Sequence, residues 1–297
     1  MALLRLIRLP NLIIVALTQA ILYFHLLFPY LQHYQIPSIF QFSSFVLFSF
    51  VTIVISAAGY IINDITDIRV DLINKPDKVV INKSISLQTA YWLYFCACLI
   101  GYAASLFLAF DVMQLALINI YILAVGGLYW YSNNLKKKAL LGNILVAIYC
   151  AGVAGILWFA DRNAIQILQK LDPAAAHRVK SVFMAYMVFA FLVTLYRELI
   201  KDIEDLKGDE MRKYRTAPIL WGIGPAKAIA ALIGGLLCVS ILIAAWKFVP
   251  PFLALLVLPV LLSLYLLKKA SNSTDYHQLS LYTKWLMLGS LLILWTA

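Results

Sequence analysis

The sequence predicts an all-α polytopic membrane protein with nine transmembrane helices, and three observations predict it. First, 63% of the 297 residues are hydrophobic, against roughly 45 to 50% in soluble domains, and that excess needs a solvent other than water. Second, only 13% are Asp, Glu, Lys or Arg, and the apolar residues run in stretches of about 20, enough to cross about 30 Å of hydrocarbon. Third, the sparse charge is lopsided, with 24 Lys and Arg against 14 Asp and Glu for a formal +10. A soluble single-core enzyme is excluded at this step. Basic excess in such a chain marks cytoplasmic membrane loops, so no nucleic-acid partner is expected.

In chain order the expected spans are Leu9–Leu31, Ile39–Ile62, Ala90–Phe110, Val112–Tyr131, Ala139–Ala160, Ser181–Ile200, Ala226–Trp246, Phe248–Leu267 and Leu279–Trp295. Lipid offers the backbone no hydrogen-bond partner, so these runs must be helices. They are also far longer than the ten or so residues of a barrel strand. The first follows Arg5 and Arg8 as a signal peptide would, but it is too long for an h-region and lacks a small-x-small cleavage site, so it is read as a retained helix. With the N-terminus in the cytoplasm, all but five of the basic residues fall on the inside. The exceptions are Arg162, Lys170, Arg178, Lys180 and Lys247, the first four in the stretch 161–180, which is expected to be the longest external loop. This bias sets the N-terminus inside.

Cysteine and histidine add little. Cys96, Cys98, Cys150 and Cys238 lie in apolar runs without a CxxC pair and read as small hydrophobes. His25, His33, His177 and His277 lack the HxxxH or HExxH spacing of a metal site on a helix.

Acidic residues are rare, so their placement is informative. Asp64, Asp67 and Asp71 follow the second span, and Asp202, Asp205 and Asp209 follow the sixth. Both trios read DxxDxxxD, and matching members stand 138 residues apart in every pair. Four spans separate them by helix count, so both emerge on one membrane face, where they can meet over one cavity. If the helix continues through a trio, its members fall at about 0°, 300° and 340°, one narrow face. Two unit charges near 6 Å repel by roughly 3 kcal/mol at an effective dielectric of about 20, so two such clusters turned toward each other need cations. Carboxylates without His or Cys beside them favour Mg²⁺, which takes one or two carboxylates together with substrate phosphates. A single DxxD is an ordinary charged helix end. Two matched runs in a chain with 14 acids make a functional site the better reading.

The run Asn63 to Asp71 resembles the NDxxDxxxD signature of the UbiA family of intramembrane prenyltransferases, whose nine helices carry one such motif after helix 2 and another after helix 6. The resemblance covers the whole chain. The second run, Arg197 to Asp209, is similar to the form in the family's archaeal-lipid branch, the digeranylgeranylglyceryl phosphate synthase-like members. Asn74-Lys75-Pro76-Asp77-Lys78 resembles the family's N-R-P-x-R-P stretch, with Lys in both Arg positions and Val79 where a proline is usual. A lysine lacks the bidentate phosphate geometry of an arginine. Tyr131 to Lys136 resembles the YxxxK element with one extra residue, and Arg8, Pro10 and Asn11 resemble the R-x-P-N entry to helix 1.

The resemblance implies a single membrane domain over 1–297, its helices around a central cavity and both aspartate motifs capping it on the cytoplasmic side. It implies transfer of a polyprenyl group from an allylic polyprenyl diphosphate to a small-molecule or lipid acceptor, of the geranylgeranylglyceryl phosphate kind or an aromatic quinone precursor. Asp64, Asp67, Asp71, Asp202, Asp205 and Asp209 would be the catalytic ligands of two Mg²⁺ ions. Asn63, Lys75, Lys78, Tyr131, Lys136 and Lys201 would bind the diphosphate. A CDP-alcohol phosphotransferase would need a Gly and an Arg after its first aspartate that are absent after Asp67. A transporter would place charge near the midplane on broken helices, whereas here the acids lie at helix ends. No general base for the acceptor is visible in the sequence.

Overall fold

Each expected span is helical over most of its described length. The structure, a computed structural model, describes residues 1–247 and 250–294, apart from the side chains of residues 78, 290 and 292–294. The start of the span Phe248–Leu267, the last residue of Leu279–Trp295 and the side chain of Lys78 therefore lie outside the described residues. Among those described no β-sheet forms, and the only bridges are isolated ones at Ile81 with Ile85 and Lys138 with Arg215.

Among the described residues seven helices are long and apolar enough to cross a membrane, against the nine expected. The two that fall short among the described residues are Ala116–Asn133 and Ser273–Leu294. The first is short and carries Asn119, Ser132 and Asn133 among its tyrosines and tryptophan; the second opens on a polar turn with Asp275 and contains Lys284. Both are helices as expected, diluted in apolarity by these residues.

By contacts the chain divides into two compact units, one of Met1–Gln19 with Ser38–Lys136, the other of Ala20–Pro37 with Lys137–Ala297. The first long helix, α1 (Leu9–His33), contributes residues to each and contains a π-helical segment at Ile21–Leu27. In the first unit α2 (Phe42–Asn74), α3 (Leu87–Asp111) and α4 (Ala116–Asn133) pack on one another. A capping box between Gln41 and Ser44 starts α2 by satisfying two amides that the first turn leaves open. The helix stops before Pro76, whose ring disfavours helical geometry in the residue before it. Small residues let α4 approach closely: a Cβ on Gly59 would stand 2.9 Å from Leu128 Cδ1. Leu6, Ile61, Ile62, Ile65, Ile81 and Ala90 form a buried cluster here, so the apolar face of α2 is anchored beside its acids.

In the second unit α5 (Leu141–Ala160) and α6 (Arg162–Leu171) precede the hub, α7 (Pro173–Glu204), and α8 (Leu206–Met211) follows it. Then come α9 (Ile223–Lys247), α10 (Val257–Lys269) and α11 (Ser273–Leu294). Helix α7 packs against α5, α6, α9 and α11, and Leu199, Ile200 and Ile203 of α7 sit in a core cluster with Ala230 of α9 and Tyr276 and Leu279 of α11.

The expected external loop at 161–180 is helical instead. Ala164, Ile165 and Leu168 form the buried stripe of α6, an i, i+3/i+4 spacing that packs one face of a helix. Asp172 then caps α7, its Oδ1 accepting the amides of Ala174 and Ala175 at 2.9 Å each, with Pro173 in the first turn where a missing N–H costs nothing. The Tyr34 hydroxyl also donates to Asp172. Led by that hydroxyl, these donors hold the Asp172 carboxyl below the usual carboxylate range.

Candidate functional site

The first aspartate motif rides on one uninterrupted helix. Helix α2 runs through Asp64, Asp67 and Asp71 to Asn74, so the three carboxyls share the narrow face that their spacing predicts. Two cations from distant sequence meet that face. Arg8 Nη2 stands 2.7 Å from Asp64 Oδ1, with its guanidinium over the Tyr60 ring at 5.0 Å. Lys136 Nζ stands 2.5 Å from Asp67 Oδ1 and donates to Thr66 Oγ1 at 2.6 Å. The Lys136 side chain is only 9% exposed, so this pair is shielded from water far more than an ordinary surface ion pair. Arg8 has φ +52, a left-handed geometry unusual for a residue with a Cβ, at the turn between the short helix Ala2–Leu6 and α1. Beside Asp64, the side-chain oxygen of Asn63 is buried with no hydrogen-bond partner among the described atoms, an arrangement that costs about 1 to 3 kcal/mol unless a donor or cation meets it.

Of the remaining residues expected in this half, Lys75 and Tyr131 lie at helix ends. Lys75 terminates α2, its amide donating to the Asp71 carbonyl at 2.8 Å. Lys78 has no described side chain. Tyr131 is half-buried in the last turn of α4, in the same unit as Lys136.

The second motif is built differently. Helix α7 ends at Glu204, Asp205 is its cap with φ −92 and ψ 4, and Asp209 belongs to the separate helix α8. One continuous helical face therefore holds the first trio but not the second. Asp205 and Gly208 are weak helix formers at the break. Asp202 Oδ2 accepts from Asn143 Nδ2 at 2.9 Å, and Asn143 is buried in the first turn of α5. Asp209 is buried. Lys201 turns to Glu198 on its own helix, at 2.9 and 3.1 Å, and Arg197 contacts the same carboxylate at 2.9 Å.

Within neither unit do three His, Cys, Asp or Glu side chains among the described residues gather closely enough to hold a metal by themselves. Mg²⁺ does not require such a cage, because it keeps several waters and takes one or two carboxylates with phosphate oxygens. Hard oxygen donors without nitrogen or sulfur among the motif residues, and the unpartnered Asn63 oxygen, fit that ion.

Sequence reasoning missed Asn143 outright, since a lone Asn at a helix start reads as a polar turn. It placed Arg8 in the basic flank of the first span and in the R-x-P-N resemblance, and the ion pair with Asp64 now gives that residue a contact. Lys136 was expected near the diphosphate, and the structure brings it to the first motif. Lys201 was expected there too, and it is tied to Glu198.

A family model for the UbiA prenyltransferase family matches residues 15–291. The digeranylgeranylglyceryl phosphate synthase of Saccharolobus solfataricus is 32% identical over 182 residues, covering 60% of this chain and 57% of that protein. The synthase of the same name from Sulfurisphaera tokodaii is 32% identical over 207 residues, covering 70% of this chain and 66% of that one. The chain thus spans less than two thirds of the length of these two relatives. A solved structure described as digeranylgeranylglyceryl phosphate synthase in membranes shares the fold, with a TM-score of 0.63 at 23% identity over 99% of this chain and 96% of the other.

Proposed function

The chain belongs to the UbiA prenyltransferase family, and on that premise we propose that it transfers a polyprenyl group from an allylic polyprenyl diphosphate to a lipid acceptor of the geranylgeranylglyceryl phosphate kind. It acts within the membrane as one domain over 1–297, with its N-terminus and both aspartate motifs on the cytoplasmic side. The carrying observation is the first motif itself: three acids on one helical face, countered by Arg8 and Lys136 from outside the motif, beside an unpartnered amide oxygen. An array of alternating anion and cation suits a polyanion that arrives with divalent ions. The acceptor class is taken from the relatives' names.

In this reading Asp64, Asp67, Asp71 and Asn63 of the first motif, and Asp202, Asp205 and Asp209 of the second, would be the ligands of two Mg²⁺ ions. Mg²⁺ held by these residues would supply positive charge to offset the charge developing on a departing diphosphate. Lys136, Lys75, Lys78, Tyr131, Lys201 and Arg8 orient the diphosphate oxygens and add to that field. Each 1.36 kcal/mol by which they favour the departing group over the bound donor is worth about tenfold in rate. The apolar helices house the isoprenoid tail and keep water from the allylic carbon until the acceptor arrives. The acceptor hydroxyl oxygen then bonds to C1 of the prenyl group, the C–O bond to diphosphate breaks with its electron pair leaving on diphosphate, and the hydroxyl proton passes to solvent.

The test is an assay of purified protein in liposomes with geranylgeranyl diphosphate, geranylgeranylglyceryl phosphate and Mg²⁺. The expected result is a doubly prenylated ether lipid and an equal amount of diphosphate. An intact donor with this acceptor and with aromatic acceptors would reject the reading.

A further inference from the structure

The C-terminal helix grips the second motif through an acid that the motif spacing does not count. Glu204 is the last residue of α7, between Asp202 and Asp205, and its side chain is 3% exposed. A carboxylate so far from water needs donors, and α11 provides them. His277 Nδ1 lies 2.8 Å from Glu204 Oε1, Ser280 Oγ donates to Glu204 Oε2 at 3.2 Å, and Ser273 Oγ donates to the Glu204 main-chain carbonyl at 3.2 Å. Residues 273, 277 and 280 are spaced i, i+4 and i+7, one stripe of a helix, so a single face of α11 meets the end of α7. Two turns earlier Arg197 Nε donates to the Ser280 carbonyl at 3.3 Å. Ile200 and Ile203 of α7 pack in one cluster with Tyr276 and Leu279 around these polar contacts.

The direction of the grip matters. Two residues along a helix differ by about 200°, so Asp202 and Glu204 face nearly opposite ways. Asp202 meets Asn143 of α5, and Glu204 meets α11. The terminus of α7 is thus held from two sides at the point where the helix breaks and the motif continues through Asp205 and Asp209.

The geometry points to Glu204, His277 and Ser280 as positioning residues for the second aspartate motif. Glu204 is turned away from the donor set and fixes the helix end that sets Asp202 against Asp205 and Asp209. The inference rests on the proposed reading of those aspartates as metal and diphosphate ligands. Groups that orient ligands from behind typically change metal affinity or activity by about 10 to 100-fold when removed.

The test measures Mn²⁺ binding to the full chain by electron paramagnetic resonance, with geranylgeranyl thiolodiphosphate as an unreactive donor analogue. His277→Leu is expected to weaken Mn²⁺ binding about tenfold and to raise the Mg²⁺ needed for half-maximal turnover by a similar factor, with the acceptor KM unchanged. His277→Asn, whose side-chain amide donates from the place of Nδ1, restores most of the loss. Tyr282→Phe, on the same helix, deletes the hydroxyl bond to the Pro259 carbonyl; it lowers thermal stability and leaves Mn²⁺ binding unchanged. Should His277→Leu fail to fold, Ser280→Ala carries the test with a weakening of several-fold. Wild-type affinity in the folded His277→Leu or Ser280→Ala protein overturns this inference alone. Wild-type protein that binds no Mn²⁺ with the analogue overturns the functional reading and this inference with it.

Discussion

The two aspartate motifs share one spacing and are supported in opposite ways. The first lies on unbroken α2 and is countered by full charges, Arg8 on Asp64 and Lys136 on Asp67. The second straddles the end of α7, and its leading acid is met by a neutral amide, Asn143, while Glu204 behind it is fastened to α11. Equal patterns therefore do not imply equal electrostatics. In the first, the backbone supplies the geometry and side chains supply charge balance. In the second, helix geometry is lost at Asp205, and neighbouring helices must supply it.

Four predictions sharpen that contrast, from the largest effect down. Asp67→Ala and Asp202→Ala each remove a proposed ligand and should cut prenyl transfer by at least about 100-fold without loss of membrane insertion, assayed on isolated membranes. Retained activity in both would end the metal-site reading for the two motifs alike. Asn143→Leu should come next. It deletes a hydrogen bond to a carboxylate, worth about 1.5 to 3 kcal/mol, and should raise the Mg²⁺ requirement by about tenfold or more while the KM for the donor moves less.

On the first motif the ranking follows shielding. Lys136→Met should raise the donor KM by about tenfold, equivalent to about 1.4 kcal/mol. Arg8→Gln should raise it only a few-fold, because the Arg8 side chain is 35% exposed against 9% for Lys136 and water screens the more open pair. Equal effects of the two substitutions in steady-state kinetics would show that burial does not set their weight.

The smallest effect concerns pH. The amides of Ser271 and Asn272 donate to Asp275 Oδ2 at 2.8 and 3.3 Å, and hydrogen bonds led by that of Ser271 hold the carboxyl below its usual range. Stability from this cap is complete above the unfolded value of about 3.9 and is lost as pH falls through the lower folded value. The melting temperature should thus fall on acidification from about pH 5 to about pH 2, and Asp275→Asn should flatten that dependence.

Much of the fold is legible without coordinates, because a bilayer imposes one strong rule. Runs of apolar residues must be helices, and α2, α3, α5, α7 and α9 appear where hydropathy puts them. The rule weakens where polar residues dilute a span, as in α4 and α11, and it is silent outside the spans. The stretch 161–180 reads in sequence as the external loop between two spans, yet three apolar residues at helical spacing and the Asp172 cap fold it into helix. The site is legible in the same uneven way. Six aspartates announce themselves by rarity and repetition. His277 does not, since its partner Glu204 is 73 residues away and no local spacing ties the two.

Sequence alone determined that the chain must leave water, that its spans are helical and that acids collect in two runs of one spacing, because composition and periodicity act over a few turns of chain. Tertiary structure decided which groups answer those acids: Arg8, Lys136, Asn143 and the polar stripe of α11. Such partners are chosen by the packing of helices that are remote in sequence, and the strength of each contact depends on the burial that packing creates.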